Sequence, residues 1–141
     1  MADNSKFYSD LDQFSVEMNI ELQKVIRKVV FDIFANILSL SPVDYGTYRA
    51  SHQIAIGKIS DEIYEISRKG SKLNNEQADT IARQQLNKLS DIGPFDIVYI
   101  SNNVPYAEVI EYGNESRESK GVYRLSLQKV EQELATFLRS L

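Results

Sequence analysis

Apolar residues recur at steps of three and four along the N-terminal part of the chain. Over residues 11–40 they form a broad stripe, which predicts a long amphipathic helix that begins at residues 11–13 and ends before Pro42. Asp10 or Asp12 is the expected N-cap, and the polar residues 1–10 are expected to be flexible. Such a helix is about 40 Å long, which is more than a small domain needs. Its first turns are either loosely held or packed against a neighbouring subunit.

The middle of the chain changes from helical to alternating periodicity and back. Gln53–Gly57 alternates apolar and polar residues and predicts a strand, while Glu62–Ser67 is a weaker strand candidate. Between the first helix and this region, residues 41–48 contain turn-forming residues and predict a loop. Asn74 and Gln77 have the spacing of a capping box and predict the start of a helix that continues to residue 89.

The last third begins with the strongest strand signal. Phe95–Ser101 is aromatic and β-branched on both faces, which is typical of a central strand covered on both sides. Pro105 fits the first turn of a short helix, and Gly113 fits the left-handed position after its end. Asn114–Lys120 contains no apolar residue and predicts a flexible loop. Val122–Leu141 predicts a last amphipathic helix, with Leu127, Val130, Leu134, either Phe137 or Leu138, and Leu141 on its apolar side.

This order of elements predicts one α+β domain over residues 1–141. We expect a small antiparallel or mixed sheet flanked by a long N-terminal helix, a middle helix and a C-terminal helix. The chain has 43% hydrophobic and 26% charged residues and no cysteine, so disulfides and thiolate metal sites are excluded. A net charge of −4 argues against a protein that grips the DNA backbone. The longest apolar stretch, residues 29–40, contains Asp32 and Asn36, so no membrane span is predicted.

The sequence contains no arrangement that indicates catalysis or metal binding. His52 is the only histidine, and a lone histidine is more often a packed or surface residue than a catalyst. The chain has no G-x-S-x-G elbow and no glycine-rich phosphate loop, and its carboxylates lack metal-ligand spacing. We therefore predict no catalytic residue, no cofactor and no metal, and an enzyme of unrecognised type remains a minor alternative.

Glu111 is the carboxylate whose position is least favourable. It lies in the last turn of the predicted short helix, where the helix dipole disfavours an anion, so a partner is expected. Arg49 and Arg124 are the candidates, within one subunit or between two. The alternative is a solvated carboxylate that costs little.

Tyrosines gather around the same segments of the chain. Tyrosine is enriched at the centres of protein interfaces, and ordinary core packing is the alternative, which is favoured for Tyr99 in its strand. Base stacking on single-stranded nucleic acid is disfavoured, because Glu108, Glu111 and Glu115 stand where basic residues would be needed. The tyrosines are Tyr45, Tyr48, Tyr99, Tyr106, Tyr112 and Tyr123.

Two stretches of the chain carry a resemblance. The first is the turn from Pro42 to Gly46 (PVDYG) with the following Arg49–Gly57 (RASHQIAIG). The second is Ser101–Ala107 (SNNVPYA) with Ile110–Gly113 (IEYG), resuming after a loop as GVYRLSL from Gly121. In order and separation they resemble the tail-completion family of tailed bacteriophages that is named after minor tail protein Z. The chain differs from the family pattern in having tyrosine for threonine at residue 45, histidine where an aromatic residue is usual at residue 52, and no proline before Gly121.

The resemblance implies a structural virion protein that acts by binding. Such proteins form a ring, commonly six-fold, at the head-proximal end of the tail or in the neck, and they join the tail to the head around the DNA channel. The implied partners are further copies of the chain, the tail terminator or tube, and head-side connector or adaptor proteins. DNA passes through without specific binding, and the implied location is the virion, assembled in the host cytoplasm. A cytosolic adaptor that pairs through its long helices is the alternative.

Residues of both stretches are candidates for the ring interface or for the turns that shape it. The interface candidates are Tyr45, Tyr48, Arg49, Tyr106, Glu108, Glu111, Tyr112, Arg117 and Arg124. The turn candidates are Pro42, Asp44, Gly46, Asn103, Pro105, Gly113 and Gly121.

Overall fold

The chain forms an α+β fold in which helices pack around one small sheet. The computed structural model describes residues 5–42, 46–65 and 72–140. In these ranges there are five α-helices and two β-strands, with a 3₁₀ turn at Asn87–Asp91. The elements are α1 (Ser5–Leu40), α2 (Gly46–Ala50), β1 (His52–Ile56), α3 (Lys72–Leu86), β2 (Val98–Asn102), α4 (Ala107–Tyr112) and α5 (Val122–Arg139).

The predicted N-terminal helix is confirmed and is longer than its apolar stripe indicates. α1 begins at Ser5, so Asp10 and Asp12 lie inside the helix and neither is its N-cap. It has 36 residues and ends at Leu40, ahead of Pro42. At 1.5 Å per residue it is about 54 Å long. The flexibility predicted for residues 1–10 stays a prediction.

The sheet consists of β1 and β2, which pair antiparallel. His52 lies opposite Asn102 and Ile56 lies opposite Val98. The side chains of α3 and of the following 3₁₀ turn close the outer edge of β1. Gln85 Oε1 accepts a hydrogen bond from the backbone N–H of Ile54 at 3.0 Å, and Lys88 Nζ donates to the Ile54 carbonyl at 3.0 Å. These two bonds take the place of a third strand along this edge.

The prediction of a central strand at Phe95–Ser101 is wrong in its start and in its environment. The pairing begins at Val98, and the side chains of Phe95 and Ile97 are 78% and 64% exposed. Composition favours a strand but does not specify how many strands surround it. The weaker candidate at Glu62–Ser67 is also wrong as far as it is described, because residues 62–65 form no strand.

Two helix boundaries differ from the predicted ones. α3 begins at Lys72, so Asn74 lies inside the helix and the predicted capping box does not open it. The helix also ends earlier than predicted, at Leu86, and Leu89 belongs to the 3₁₀ turn. In the predicted loop at residues 41–48, the chain instead enters α2 at Gly46.

Two groups of buried side chains form the core, and α1 contributes to both. The first joins α1, β1, α3 and the segment after the 3₁₀ turn, and consists of Val30, Phe34, Ile54, Ala82 and Ile92. The second joins α1, α2, α4 and α5, and consists of Ile37, Tyr48, Val104, Ile110 and Val122. α1 is therefore the element on which the rest of the domain is assembled.

α5 turns part of its predicted apolar side inward and leaves the rest exposed. Its buried residues are Val122, Ser126 and Val130, which are spaced four apart. On the predicted apolar side, Val130 is buried and Leu134 and Phe137 are partly buried, whereas Leu127 and Leu138 are about half exposed. Ser126 is accommodated because its hydroxyl group donates to the Val122 carbonyl at 2.6 Å.

Candidate functional site

The single histidine lies at the centre of a buried polar network. His52 is 1% exposed, and its Nε2 lies 2.7 Å from the hydroxyl oxygen of Ser41, at the end of α1. That hydroxyl group donates its only proton to the Ile37 carbonyl at 2.7 Å. Nε2 must therefore carry the ring proton and donate it to Ser41. On the other side of the ring, Nδ1 accepts a hydrogen bond from the hydroxyl group of Tyr123 at 2.8 Å.

Burial keeps the imidazole of His52 in its neutral form. Burial lowers the pKa of His52 from 6.5 to about 3, and the positive charge of Arg49 adds to the effect. The Ser41 proton is committed to a backbone carbonyl, so the Ser41–His52 pair lacks the arrangement of a nucleophile and its base, in which the imidazole accepts that proton. The arrangement holds two segments together and offers no reacting atom to solvent.

The same network joins the two stretches of sequence that carry the family resemblance. The amide nitrogen of Asn102 donates to the Tyr48 carbonyl at 2.8 Å and lies 3.2 Å from His52 Nδ1. The Tyr48 ring packs edge-on against the imidazole with a centroid separation of 4.7 Å. Because Tyr123 closes the network from α5, segments far apart in sequence meet at one buried point.

The carboxylate of Glu111 caps the N-terminus of α5. Its two oxygens accept the backbone N–H groups of Tyr123 at 2.8 Å and Arg124 at 3.1 Å. These are the N–H groups that an N-cap side chain normally satisfies, and the N-cap residue Gly121 has no side chain for this role. The dipole of α5 stabilises the charge that the dipole of α4 disfavours.

The predicted ion pair of Glu111 with an arginine is therefore wrong within one subunit, and a pair between two subunits stays a prediction. Glu111 does have a partner, but the partner is the main chain of α5, and in the described ranges no salt bridge joins Glu111 to Arg49 or Arg124. The Arg49 guanidinium instead pairs with Asp79 of α3 at 3.1 Å, and that of Arg124 donates to the Ser119 hydroxyl at 3.3 Å.

The loop between α4 and α5 is connected back to α4 through its backbone. The N–H groups of Lys120 and Gly121 donate to the carbonyls of Ile110 at 2.8 Å and Glu111 at 3.1 Å. The Asn114 side-chain oxygen accepts the N–H of Arg117 at 2.9 Å within the loop. These bonds define a turn, and the mobility predicted for residues 114–120 stays a prediction.

Gly113 and Gly121 both have positive φ angles, at the two ends of this loop. Gly121 (φ 55°, ψ 38°) is left-handed, whereas Gly113 (φ 74°, ψ −179°) is not in the predicted left-handed position but in a region open only to glycine. A Cβ atom on Gly113 would lie 2.6 Å from the backbone nitrogen of Ser119.

Two further turn candidates lie ahead of α4. Pro105 precedes α4 instead of lying in its first turn. The side-chain amide of Asn103 donates a hydrogen bond to the Ser60 carbonyl at 2.7 Å.

The predicted interface residues separate into buried and exposed ones. Tyr48 is 1% exposed and lies within its own subunit, which removes it from the accessible surface. Tyr112 is 70% exposed, and Glu108 is exposed on the same face of α4. Tyr106 is partly buried, and Arg117 lies in the exposed loop. Tyr45, together with the turn residue Asp44, lies outside the described residues.

Sequence reasoning missed Ser41, Asn102 and Asp79 as partners in these contacts. A serine at a helix end, an asparagine at a strand end and an aspartate on an exposed helix face are ordinary residues in ordinary positions. The one sequence pattern that could have indicated the buried network is the pair of Tyr48 and His52, an aromatic residue and a histidine spaced four residues apart.

A shallow cleft lies beside the network and opens at the surface. It has a volume of about 290 Å³, and its walls come from α2, β2, α4 and α5. Among the described residues no group of three or more histidine or acidic side chains is placed to hold a metal ion. The lining residues are Tyr48, Asn102, Ala107, Glu108, Glu111, Tyr112 and Tyr123.

Across the described ranges, none of the helices combines the length and the apolar character needed to cross a bilayer. Comparison of the chain with protein-family models, with curated proteins and with solved structures finds no match.

Proposed function

We propose that this chain is a structural virion protein that forms a ring at the head-proximal end of a phage tail or in the neck. In this role it completes the tail and joins it to the head around the DNA channel. The proposal starts from the resemblance of Pro42–Gly57 and Ser101–Leu127 to the tail-completion family. It assigns the protein to binding and not to catalysis.

One structural observation supports the proposal more than any other. The two stretches that carry the resemblance meet in one buried network, in which Tyr123 and Asn102 from the second stretch contact His52 and Tyr48 from the first. The two stretches therefore lie side by side in the folded chain, with His52, a departure from the family pattern, at their meeting point.

The exposed surface of α1 also suits a protein that assembles. Phe7, Leu11 and Phe14 lie on one stripe of the helix and are between 48% and 60% exposed. Apolar side chains grouped in this way mark a surface that another protein covers. In a ring, each copy would present such a surface to its neighbour, and a heterologous contact repeated around an axis closes the ring.

The same stripe favours the alternative, a cytosolic adaptor that pairs through its long helices. A pair of helices buries one stripe against an identical one and stops at two copies. A ring instead contains more than two copies of the chain. The number of copies in the assembled state therefore separates the two functions.

Electron cryo-microscopy of particles from the virus that encodes the chain tests the proposal directly. We expect density for α1 and for the α4–α5 turn in a ring between the tail tube and the head. Native mass spectrometry of the purified protein is the companion measurement, with ring-sized species expected at high concentration. Particles that lack the polypeptide would contradict the proposal, and a dimer at every concentration would favour the adaptor.

A further inference from the structure

The two-stranded sheet has one closed edge and one open edge. Along β1, the outer N–H and C=O groups of Ile54 are bonded to side chains of α3 and the 3₁₀ turn. Ile54 lies opposite Ile100 in an antiparallel register, so the main-chain groups of Ile100, and those of Val98 two residues earlier, point away from β1. In the described ranges no hydrogen bond reaches these groups, and every residue of β2 is partly exposed. β2 therefore offers unpaired donors and acceptors along its outer side.

This edge carries none of the features that usually keep an open strand from pairing. Natural proteins protect such edges with charged residues, proline or a β-bulge. The stretch from Ile97 to Asn103 contains no charged residue and no proline, and the pairing with β1 is continuous from Val98 to Asn102. An open, uncharged and regular edge is a template for another extended chain.

A second set of unpaired main-chain groups lies in the segment Asp61–Glu65, which overlaps the weaker strand candidate of the sequence. This segment is attached to its own subunit at every second residue. The Glu62 carbonyl accepts a hydrogen bond from the side-chain amide of Asn103 at 3.1 Å, and the N–H of Tyr64 donates to the Ser51 hydroxyl group at 2.9 Å. Attachment at alternate residues is the pattern of an extended chain, in which successive main-chain groups point to opposite sides.

Ile63 lies between the two attached residues and forms the free side of the segment. By the same alternation its N–H and C=O groups point away from the subunit, and its side chain is 42% exposed. No hydrogen bond reaches these groups in the part of the chain that the structure describes. The neighbouring side chains of Asp61, Glu62 and Glu65 are acidic. Like charges on paired strands repel, so two such segments do not favour each other, whereas the uncharged edge of β2 accepts one.

We propose that the Asp61–Glu65 segment of one copy pairs with the open edge of β2 in a neighbouring copy. The main-chain groups of Ile63 and of one flanking residue exchange hydrogen bonds with those of Val98 and Ile100, which adds a strand to the sheet. The contact is made by main-chain groups of β2 and uses no side chain that precedes this strand. Because its two sides are different parts of the chain, the contact is heterologous and can repeat around an axis. The inference deepens the proposed function and rests on it for the closure of the ring.

Amide hydrogen exchange tests the contact in the full chain without any substitution. Exchange proceeds at a concentration at which the copies assemble and at one at which they do not, is then quenched, and is read by NMR after dilution. We expect the N–H groups of Ile63, Val98 and Ile100 to exchange at least about ten-fold more slowly in the assembled state. The N–H of Tyr64 is already bonded within the subunit, so it is the internal control and should not change.

A proline substitution removes one donor of the contact. Ile63→Pro deletes the outward N–H group and suits an extended chain, because proline favours an extended conformation in the residue before it. We expect association to be about ten-fold weaker for each contact, through the loss of one hydrogen bond. Ile63→Thr removes the same apolar side chain but keeps the N–H group, so it is the matched control and should associate like the wild type. Sedimentation velocity measures association, and circular dichroism checks the fold.

The outcomes separate this contact from the ring itself. Assembly without slower exchange at Val98 and Ile100, or equal association of the two Ile63 variants, would overturn the contact and leave the proposed ring standing. Slower exchange at Val98 and Ile100 but not at Ile63 would overturn it in favour of β2 pairing with itself. A monomer at every concentration would contradict both the contact and the ring. Should Ile63→Pro fail to fold, hydrogen exchange in the unsubstituted chain decides alone.

Discussion

At the scale of single residues, His52 shows how burial decides what an ionisable group does. An exposed histidine is half protonated near pH 6.5. The pKa of His52 is about 3 instead, because burial removes water from the charged form. Ser41 and Tyr123 satisfy both ring nitrogens of the neutral form. Protonation would place a second donor against the Tyr123 hydroxyl group and a second positive charge near Arg49.

Stability is therefore expected to fall as the pH drops from about 6.5 towards 3. In this window the unfolded chain binds a proton at His52 and the folded chain does not, so acid favours the unfolded state by about 1.4 kcal/mol per pH unit from this group alone. Urea unfolding at pH 7, 6, 5 and 4 measures the slope, and His52→Gln should have a shallower one. Because the chain has one histidine, its ring resonance gives an independent check, and a midpoint near pH 6.5 in the folded protein would contradict the argument.

Glu111 provides the second test at this scale. Glu111→Gln keeps the shape but removes the charge at the N-terminus of α5 and one of the two acceptors, so we expect a loss of about 1–2 kcal/mol in the free energy of unfolding. Glu111→Lys should cost more, since it places a positive charge at the positive end of the helix dipole. Urea denaturation followed by circular dichroism measures both, with Glu133→Gln on the solvent face of α5 as control. Losses no larger than that of the control would show that the cap is not needed.

Sequence reasoning found that Glu111 needs a partner but could not identify it. The unfavourable position could be predicted, because the sequence places Glu111 in the last turn of a helix, where the helix dipole disfavours an anion. The partners are backbone N–H groups, and every residue except proline has one, so the sequence gives no sign of which will be used. The arginines were chosen because their side chains are visible in a sequence, and within one subunit this choice was wrong.

At the scale of elements, the short α4–α5 connection depends on glycine for two separable reasons. Gly113 has a φ angle of 74°, and an added Cβ atom would meet the backbone of Ser119 at 2.6 Å and Arg117 at 2.7 Å. Gly57 has a similar φ angle of 81°, but nothing lies within 4 Å of its added Cβ atom. Both positions have a positive φ angle that strains an L side chain, and they differ in the steric cost.

Gly113→Ala is therefore expected to lose more stability than Gly57→Ala. The cost of the unusual backbone angle is about 1–3 kcal/mol in either variant. Only Gly113→Ala must also displace the backbone of the loop, so its loss should be larger by at least about 1 kcal/mol. Thermal and urea unfolding of the two variants measure the difference, and equal losses would show that the loop yields to the methyl group.

The elements also show where periodicity stops being informative. The helical stripe of α1, the alternation around β1 and the apolar spacing of α5 predicted these elements, since each reflects the burial of one face. The surroundings of β2 were not predictable in the same way. Phe95 and Ile97 favour a strand by their residue type, but the sheet has two strands and both side chains face outward. Burial depends on what packs nearby, and that is a property of the whole chain.

At the scale of the whole molecule, α1 extends well past the core that it helps to build. Its contacts with both core clusters come from residues such as Val30, Phe34 and Ile37, all in its second half. The first half exposes Phe7 and Phe14. A helix of about 54 Å with an apolar stripe on its free half is consistent with the proposed assembly, in which another copy covers that stripe.

Replacing Phe7 and Phe14 together by glutamine should reduce self-association and leave the folded subunit intact. Both side chains are 60% exposed, and glutamine maintains the helix, so the free energy of unfolding should change by no more than about 0.5 kcal/mol each. Sedimentation velocity over a range of concentrations measures the assembly, and circular dichroism checks the fold. The double change Phe95→Gln with Ile97→Gln removes as much exposed apolar surface elsewhere and should leave assembly unchanged. If both double variants assemble like the wild type, the stripe on α1 is not the contact surface, and if both fail, exposed apolar area in general drives association.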